Sequence, residues 1–156
     1  MIFVTTGTQL PFPRLIEAMD RLAPDLSEEV VAQVGPDPNT RTHISTHATL
    51  APAAFEQYFR EARVVVAHAG IGSILSAKKW HQPLIMVPRR HALGEHRNDH
   101  QLATAREIEG RSGFYVAWQT EDLAALLAGP ALSAPDAALD HSAEQLLDRV
   151  RRFIDN

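Results

Sequence analysis

The chain has 156 residues, of which 45% are hydrophobic, and a formal net charge of −4. This length suffices for one domain with a buried core, and the acidic balance argues against nucleic acid as the main partner. The chain has no cysteine, which excludes a disulfide framework, a thiolate nucleophile and a zinc–thiolate site.

Short β-branched runs alternate with helical patterns from the N-terminus onwards. Strands are predicted at residues 2–5, 30–34, 43–46, 63–67, 84–87 and 114–117. The first helix is opened by Pro11 and Pro13, and further helices are predicted at 52–60, 72–80, 98–109 and 120–128. This alternation predicts one α/β domain over 1–156, with a Rossmann-like, doubly wound parallel sheet. A surface connection at 129–141 and a C-terminal helix at 142–155 complete the predicted domain.

Three of the predicted loops are expected to meet in one cleft. In doubly wound sheets, ligands bind outside the carboxyl ends of the strands. The loops that follow the first, fourth and fifth strands contain Gly7 and Thr8, residues 68–73, and residues 89–101. Chemistry-bearing side chains in these three loops are therefore the candidates for a functional site.

One strand-to-helix junction carries the strongest signal. The β-branched run 64–66 leads to His68, and Gly70 and Gly72 then allow a tight turn that a ligand can approach closely. Ser73 follows where the next helix exposes unpaired N–H groups, a favourable place for a phosphate. The stretch is neither a G-x-G-x-x-G fingerprint nor a Walker A loop. The alternative is a turn that needs glycine only for packing, with a histidine satisfied by the main chain.

The polar segment 89–101 contains three histidines and two carboxylates, which together suggest a metal site. However, the spacing of His91, His96 and His100 does not match a known tetrahedral ligand set. We therefore predict no metal site in this segment.

A polar rim for a sugar is the more physical interpretation of the same segment. Asn98, His100 and Gln101 supply amide and imidazole partners for hydroxyl groups. Arg89 and Arg90 are suited to offset the charge of a diphosphate or an acidic sugar. The alternative is a charged loop that is simply solvated.

The motifs together resemble the donor-binding half of GT-B glycosyltransferases, and most closely the C-terminal domain of glycosyltransferase family 28. The resemblance lies in the stretch 68–73, in Pro83 and in the Asn-Asp-His-Gln sequence at 98–101. The stretches 3–8 and 93–101 further resemble the short chain of two-chain enzymes, of the bacterial exopolysaccharide (PssE-like) type. The same group includes the eukaryotic N-acetylglucosaminyltransferase subunit that acts on dolichol-linked sugar.

The resemblance implies a UDP-sugar site in the cleft. Gly70, Gly72 and Ser73 would hold the diphosphate at the helix start, and His68 would contact it as well. His68 and Ser73 would thus stabilise the leaving UDP, while the general base for the acceptor stays unassigned. The further residues that we expect to line the cleft or to bind substrate are Gly7, Thr8, Arg89, Asn98, His100 and Gln101.

One position departs from the family pattern. Three residues after the family's serine there is often a glutamate that binds the ribose hydroxyls, and this chain has Ser76 there. Serine can bond a hydroxyl but cannot accept two hydrogen bonds as a carboxylate does. Ribose recognition by Ser76 is therefore expected to be weaker or built differently, with Lys78 or Lys79 as possible contributors.

The resemblance also implies the wider function: a UDP-sugar-dependent hexosyl- or glucuronosyltransferase, inverting and active with a partner. The partner would be a membrane-associated, acceptor-binding subunit, and the acceptor a lipid-linked saccharide in exopolysaccharide or capsule assembly. We expect no metal or other cofactor, and a cytoplasmic chain peripheral to the inner face of the membrane. Self-association of the isolated chain is possible. The alternatives are an accessory module that activates a partner glycosyltransferase without catalysis, and a domain that binds a different nucleotide cofactor.

Overall fold

Six parallel strands form the central sheet of the protein. In the computed structural model, which describes residues 1–129, 131–136, 145, 148–149 and 151–152, the strand order is β3-β2-β1-β4-β5-β6. The strands are β1 (Ile2–Thr5), β2 (Val30–Gln33), β3 (Ser45–His47), β4 (Val64–His68), β5 (Leu84–Val87) and β6 (Phe114–Val116). This order confirms the predicted doubly wound sheet.

Helices cover both faces of the sheet. They are α1 (Pro13–Leu22), α2 (Pro52–Glu61), α3 (Ile71–Trp80), α4 (His100–Ile108) and α5 (Asp122–Ala128), with short 3₁₀ turns at Ala23–Asp25 and His91–Leu93. None of the helices in the described part of the chain is long and apolar enough to cross a membrane. Most of the predicted helix at 142–155, and residues 130 and 137–141 of the predicted connection, lie outside the described residues.

Alternate strand residues divide the core into two layers. Ile2 and Val4 pack in a cluster with the buried residues of α1 and α5, whereas Phe3 and Val65 pack with those of α2, α3 and α4. Both faces of each central strand are thus buried, which explains the continuous apolar runs read in the sequence. The predicted elements fit this arrangement because each helix has one apolar face and each central strand has two.

The start of α4 differs from the prediction by two residues. The helix was expected from Asn98, but Asn98 Oδ1 accepts a hydrogen bond from the His100 N–H at 3.1 Å. Asp99 is the residue before the first helical turn, and its Oδ1 accepts from the His91 N–H at 3.0 Å. These two side chains hold the backbone of residues 91–100 in a turn, so the helix begins at His100.

The strand order reverses between β1 and β4, and this reversal positions the site. Both strands lie at the centre of the sheet, and the chain leaves them towards opposite faces. The loops after β1 and β4 therefore diverge and leave a crevice at their carboxyl ends. The loop after β5, which borders β4, forms the third side of this crevice.

Candidate functional site

The first turn of α3 opens directly into the crevice. Gly70 precedes the helix with extended backbone angles and has no side chain that could cap it. The N–H groups of the first turn have no carbonyl partner within a helix, so they are available to an anion. A Cβ atom on Gly72 would meet nothing within 4 Å, so this turn faces open space. Ser73, which is 7% exposed, adds a hydroxyl to the same turn.

His68 ends β4 with its ring between two glycines. A Cβ on Gly70 would overlap the ring, and a Cβ on Gly7 would lie 3.4 Å from Nε2. Gly7 also has a φ of +76°, a conformation that favours glycine for its own reason. Gly70 is therefore required because the imidazole fills the space of a side chain, whereas Gly7 is favoured by its positive φ.

Gln101 holds His68 from the other side. It is 7% exposed in the first turn of α4, and its Nε2 lies 3.0 Å from His68 Nδ1. Its Oε1 accepts hydrogen bonds from two main-chain N–H groups, those of Ala69 at 3.2 Å and Arg89 at 3.0 Å. One buried amide thus ties the end of β4, the end of β5 and the start of α4 together.

The imidazole of His68 is uncharged at neutral pH. Burial lowers the pKa of His68 to about 4, and the positive charges of Arg89 and His96 act in the same direction. The sequence left open whether this ring would be neutral or protonated. The structure favours a neutral ring, which can donate one hydrogen bond but contributes no charge.

Arg89 is 2% exposed and binds the loop that follows β1. Its guanidinium donates to the carbonyl oxygens of Pro11 at 2.7 Å, Thr6 at 2.8 Å and Leu10 at 2.9 Å. It also stacks over the Phe12 ring at 4.7 Å from the centroid. These hydrogen bonds to the loop are observed, whereas the contact of Arg89 with a substrate stays a prediction.

Arg90 likewise points to main chain. Its Nη2 donates to the Trp118 carbonyl at 2.6 Å, and its own N–H donates to Glu95 Oε1 at 3.0 Å. Glu95 in turn pairs with Arg14 at 2.8 Å. Both arginines that were expected to face a diphosphate or an acidic sugar therefore have main-chain carbonyls as partners.

Two cavities meet at His68. The histidine cavity, of about 260 Å³, is lined by Thr6, Gly7, Thr8, Gln9, Leu10, His68, Arg89, His96 and Gln101. The aromatic cavity, of about 560 Å³, is lined by Thr5, Gly7, Thr8, Gln33, Leu50, Pro52, Phe55, Glu56, His68, Gly72, Ser73, Ser76, Lys79 and Trp80. Gly7, Thr8 and His68 line both cavities, so the two adjoin across these residues.

Sequence reasoning missed the apolar walls and one acid of the aromatic cavity. Phe55 on α2 and Trp80 on α3 lie 6.3 Å apart between ring centroids, and Glu56 follows Phe55. Ser76 lines this cavity as well, and Lys79 lies over the Trp80 ring at 5.2 Å. The sequence does not indicate that these residues share a cavity, because α2 and α3 are separate in sequence and adjacent only in the fold.

The histidine cavity contains another residue, which the sequence suggested only as a metal ligand. His96 lines it, and its buried Nδ1 has no hydrogen-bond partner among the residues that the structure describes. Burial is the largest cause of a lowered pKa for His96, and a hydrogen bond from the ring to Asn98 opposes it. By contrast, Asn98 and His100 line neither cavity, so their contact with a sugar stays a prediction.

Metal ligands do not gather at this cleft or elsewhere in the described ranges. No group of three or more His, Asp or Glu residues there has a geometry that could hold a metal ion.

Comparison with known proteins gives one family. A model of the glycosyltransferase family 28 C-terminal domain matches residues 1–152. A UDP-N-acetylglucosamine–N-acetylmuramyl-(pentapeptide) pyrophosphoryl-undecaprenol N-acetylglucosamine transferase from Rhodospirillum centenum is 34% identical over 122 residues. The match covers 72% of this chain and 31% of that protein. The chain therefore spans about a third of the length of this curated relative.

Solved structures, a glycosyltransferase among them, share the fold. The chain is similar to CalG4, the calicheamicin glycosyltransferase, with a TM-score of 0.62 and 17% identity, over 98% of this chain and 38% of that one. It is also similar to the solution structure of ALG13, with a TM-score of 0.64 and 18% identity, over 96% of both chains. The fold thus occurs both as part of a longer chain and over nearly the whole of a short one.

Proposed function

Because the chain belongs to the glycosyltransferase family 28 C-terminal domain family, we propose that it binds a UDP-sugar and transfers the sugar to a lipid-linked saccharide. In this proposal it is the donor-binding, catalytic subunit of a two-chain, inverting enzyme. Exopolysaccharide or capsule assembly is the process that we assign to it.

The two adjoining cavities, one of which is lined by the start of α3, are the observation that supports this function best. The aromatic cavity offers Phe55 and Trp80 to a flat, apolar heterocycle. The open first turn of α3, with Ser73, lies beside it and suits a diphosphate. The histidine cavity then follows on the other side of His68 and provides space for the donor sugar. Nucleoside, diphosphate and sugar would thus occupy the cleft in their covalent order.

The proposed chemistry is displacement of UDP by an acceptor hydroxyl. The hydroxyl oxygen attacks the anomeric carbon from the face opposite UDP, and the bond between that carbon and the phosphate oxygen breaks. The electron pair remains on the β-phosphate, and a base outside the described residues takes the hydroxyl proton. Preorganised donors stabilise the new negative charge: the first-turn N–H groups of α3, the Ser73 hydroxyl and the His68 ring.

A partner chain supplies the acceptor site in this proposal. A glycosyl transfer needs both substrates in one closed cleft, and the described residues form the domain that we assign to the donor. The similarity to ALG13 over 96% of both chains supports the view that this fold can exist without an attached acceptor domain. We therefore expect the purified chain to bind donor but to transfer sugar poorly by itself.

A neutral hexose is expected as the donor sugar. Arg89 and Arg90 were the candidates for binding a uronic acid, but both guanidinium groups donate to main-chain carbonyls. Recognition of a carboxylate normally uses a fork of guanidinium donors that is not already bound. We therefore expect weaker binding of UDP-glucuronate than of UDP-glucose.

Calorimetric titration of the purified chain tests the proposal. The ligands are UDP, UDP-glucose, UDP-N-acetylglucosamine, UDP-galactose and UDP-glucuronate, with a chelator present. We expect binding without metal and a preference for one neutral sugar. Failure of all five ligands to bind, both alone and with the partner added, would overturn the donor assignment. Binding without any transfer in the complex would instead support the accessory-module alternative.

A further inference from the structure

The orientation of the Gln101 amide is fixed by its surroundings. Two main-chain N–H groups, of Ala69 and Arg89, lie 3.2 and 3.0 Å from one end of the amide. Main-chain N–H groups only donate, so the atom between them must be the oxygen. An amide turned the other way would place its NH₂ group against both donors. The nitrogen Nε2 therefore faces His68.

This orientation determines where the proton of His68 lies. Gln101 Nε2 is 3.0 Å from His68 Nδ1, and an amide nitrogen can only donate. Nδ1 must then accept the hydrogen bond, so the single proton of the neutral ring lies on Nε2. A second proton on Nδ1 would point at the amide hydrogens of Gln101. An accepting Gln101 would favour that proton, but its oxygen is already used by two main-chain donors.

The Nε2 side of the ring faces the cleft. It lies next to Gly7, and Gly7 and His68 both line the two cavities. Within the described part of the chain, the His68 side chain has one hydrogen bond, the one at Nδ1. The Nε2–H group is thus an uncommitted donor beside the open first turn of α3.

We propose that Gln101 is a positioning residue, which fixes His68 as the Nε2–H tautomer so that this proton is directed at an anionic ligand in the cleft. The ligand part of this inference rests on the proposed function, because it takes the anion to be the diphosphate of a UDP-sugar. The role differs from the expected contact of Gln101 with the sugar. Here Gln101 acts on the ligand through His68.

The charged groups that face His68 act in the same direction. They are Arg89, at the end of β5, and His96, in the loop before α4, and positive charge on either disfavours a second proton on the ring. The first turn of α3 contains no acidic residue, and the residues of the β1 loop that line the cleft are uncharged. On α2 and α3, Glu56 and Lys79 also line the aromatic cavity together with His68. Burial and the charges of Arg89 and His96 outweigh the hydrogen bond with Gln101, which acts in the opposite direction on the pKa, so the ring stays neutral.

NMR of the protein labelled with ¹⁵N-histidine tests the tautomer without any ligand. Long-range ¹H–¹⁵N correlation spectra distinguish a protonated from an unprotonated ring nitrogen, and signals absent from His68→Gln assign this residue. In the wild type we expect unprotonated Nδ1 and protonated Nε2 from pH 6 to 8. A proton on Nδ1 would overturn the proposal even if UDP-sugars bind. Conversely, the protein could show the expected tautomer and yet bind no UDP-sugar. That result would refute the proposed function and leave the positioning of His68 intact.

Gln101→Glu changes the tautomer while keeping the side chain nearly the same shape. One carboxylate oxygen can still accept from Ala69 and Arg89, and the other now accepts from Nδ1. We expect the pKa of His68 to rise to its ordinary range or above, with Nδ1 protonated at neutral pH. Gln119→Glu is the matched control, because Gln119 is exposed and lines neither cavity. An unchanged His68 spectrum in folded Gln101→Glu would overturn the proposal.

The binding of UDP-glucose at several pH values provides the functional measurement. This ligand suits the test because its diphosphate is a diester and does not titrate near neutral pH. In Gln101→Glu, affinity should rise by up to about tenfold for each unit that the pH falls towards the raised pKa of His68, and should level off below it. The wild type and Gln119→Glu should both show a nearly flat profile from pH 6 to 8. A profile for Gln101→Glu as flat as theirs would count against the proposal.

Discussion

The two cavities that meet at His68 use their polar side chains in opposite ways. In the histidine cavity, Arg89 donates to main-chain carbonyls and Gln101 accepts from main-chain N–H groups. In the aromatic cavity, the wall is formed by Phe55 and Trp80, and the open start of α3 adjoins it. The first cavity is therefore a frame that is held rigid by its own hydrogen bonds. The second resembles a recognition surface, with apolar area and donors directed outwards.

This difference separates two kinds of mutational effect. Substitutions in the frame remove partners from buried main-chain groups, so they should lower the free energy of unfolding. Substitutions on the recognition surface should change nucleotide affinity while the fold persists. The comparison would fail if residues of both cavities affected stability and affinity in the same proportion.

Ser73→Asp should have the largest effect and should act on affinity. A carboxylate in the first turn of α3 would lie against the diphosphate, and juxtaposed like charges cost several kcal/mol. We expect a loss of UDP affinity of at least about 100-fold, measured by calorimetry. Because Ser73 is 7% exposed, a thermal melt must accompany the titration to show that the variant is folded.

Ser73→Ala is the matched control for this experiment. It removes the hydroxyl without adding charge, so only a few-fold loss of affinity is expected, as for one neutral hydrogen bond. Unchanged UDP affinity in Ser73→Asp would refute the assignment of the diphosphate site to the start of α3. An equal loss in both variants would mean that the hydroxyl, and not the charge, decides binding.

Arg89→Met should act mainly on stability. The variant retains an apolar stem beside Phe12 but leaves the carbonyls of Thr6, Leu10 and Pro11 without their donor. Buried groups without partners are costly, and we expect the free energy of unfolding to fall by about 3 kcal/mol in urea denaturation. Arg97→Met is the control, since exposed Arg97 should change it by no more than about 0.5 kcal/mol. Equal stability of the two variants would contradict the role of Arg89 as a frame residue.

His68 connects the cavities, and its titration should make stability depend on pH. Its pKa is about 4 in the folded protein, below the ordinary value of 6.5, so the unfolded chain binds the proton more readily. The stability that results is present above pH 6.5 and is lost as the pH falls towards 4. We expect a loss of about 2 kcal/mol over this window.

Urea denaturation at several pH values, on the wild type and His68→Gln, measures this contribution. The variant should lose less stability on acidification, because it lacks the ring that resists protonation. The slope that remains in His68→Gln would include His96, whose pKa is lowered in the same direction. Parallel stability curves for the two proteins would show that His68 takes up its proton equally well in both states.

The fold was predictable because its signals are local. The strand at 84–87 and the helix that begins at Pro52 match β5 and α2 at the residues where they start. Continuous apolar runs identify strands that are buried on both faces, and the alternation with helices then specifies a parallel sheet. The start of α4 was misplaced because the side chains of Asn98 and Asp99 bind nearby backbone instead of continuing the helix.

The candidate site was predictable only in part, because its contacts are not local. The glycines at 70 and 72 indicated an open helix start, which the structure has. The sequence could not show that the donors of Arg89 point to carbonyls of the β1 loop, 78 to 83 residues away along the chain. It also could not bring Phe55 and Trp80 together, since their proximity depends on how α2 and α3 pack. Helices and turns are determined largely by short segments of sequence, whereas the partners of a side chain depend on the tertiary fold.

Glu56→Gln is the smallest and most specific test of the recognition surface. Glu56 lines the aromatic cavity together with Ser76, so α2 can offer the carboxylate that is absent at position 76 of α3. If Glu56 accepts from the ribose hydroxyls, its neutral variant should bind UDP about 5- to 10-fold more weakly, as for one charge-assisted hydrogen bond. Its affinity for 2′-deoxy-UDP should change much less, because one of the two hydroxyls is missing.

Glu61→Gln serves as the control, since Glu61 lies on the same helix and does not line this cavity. The Arg60 side chain, 3.2 Å from Glu56, loses its partner in Glu56→Gln, but this pair is exposed and should contribute little to stability. A loss that is equal for UDP and 2′-deoxy-UDP would mean that Glu56 does not act through the 2′-hydroxyl, because loss of its charge alone should strengthen the binding of an anionic nucleotide. A loss confined to UDP would place the ribose between α2 and α3, on the recognition side of His68.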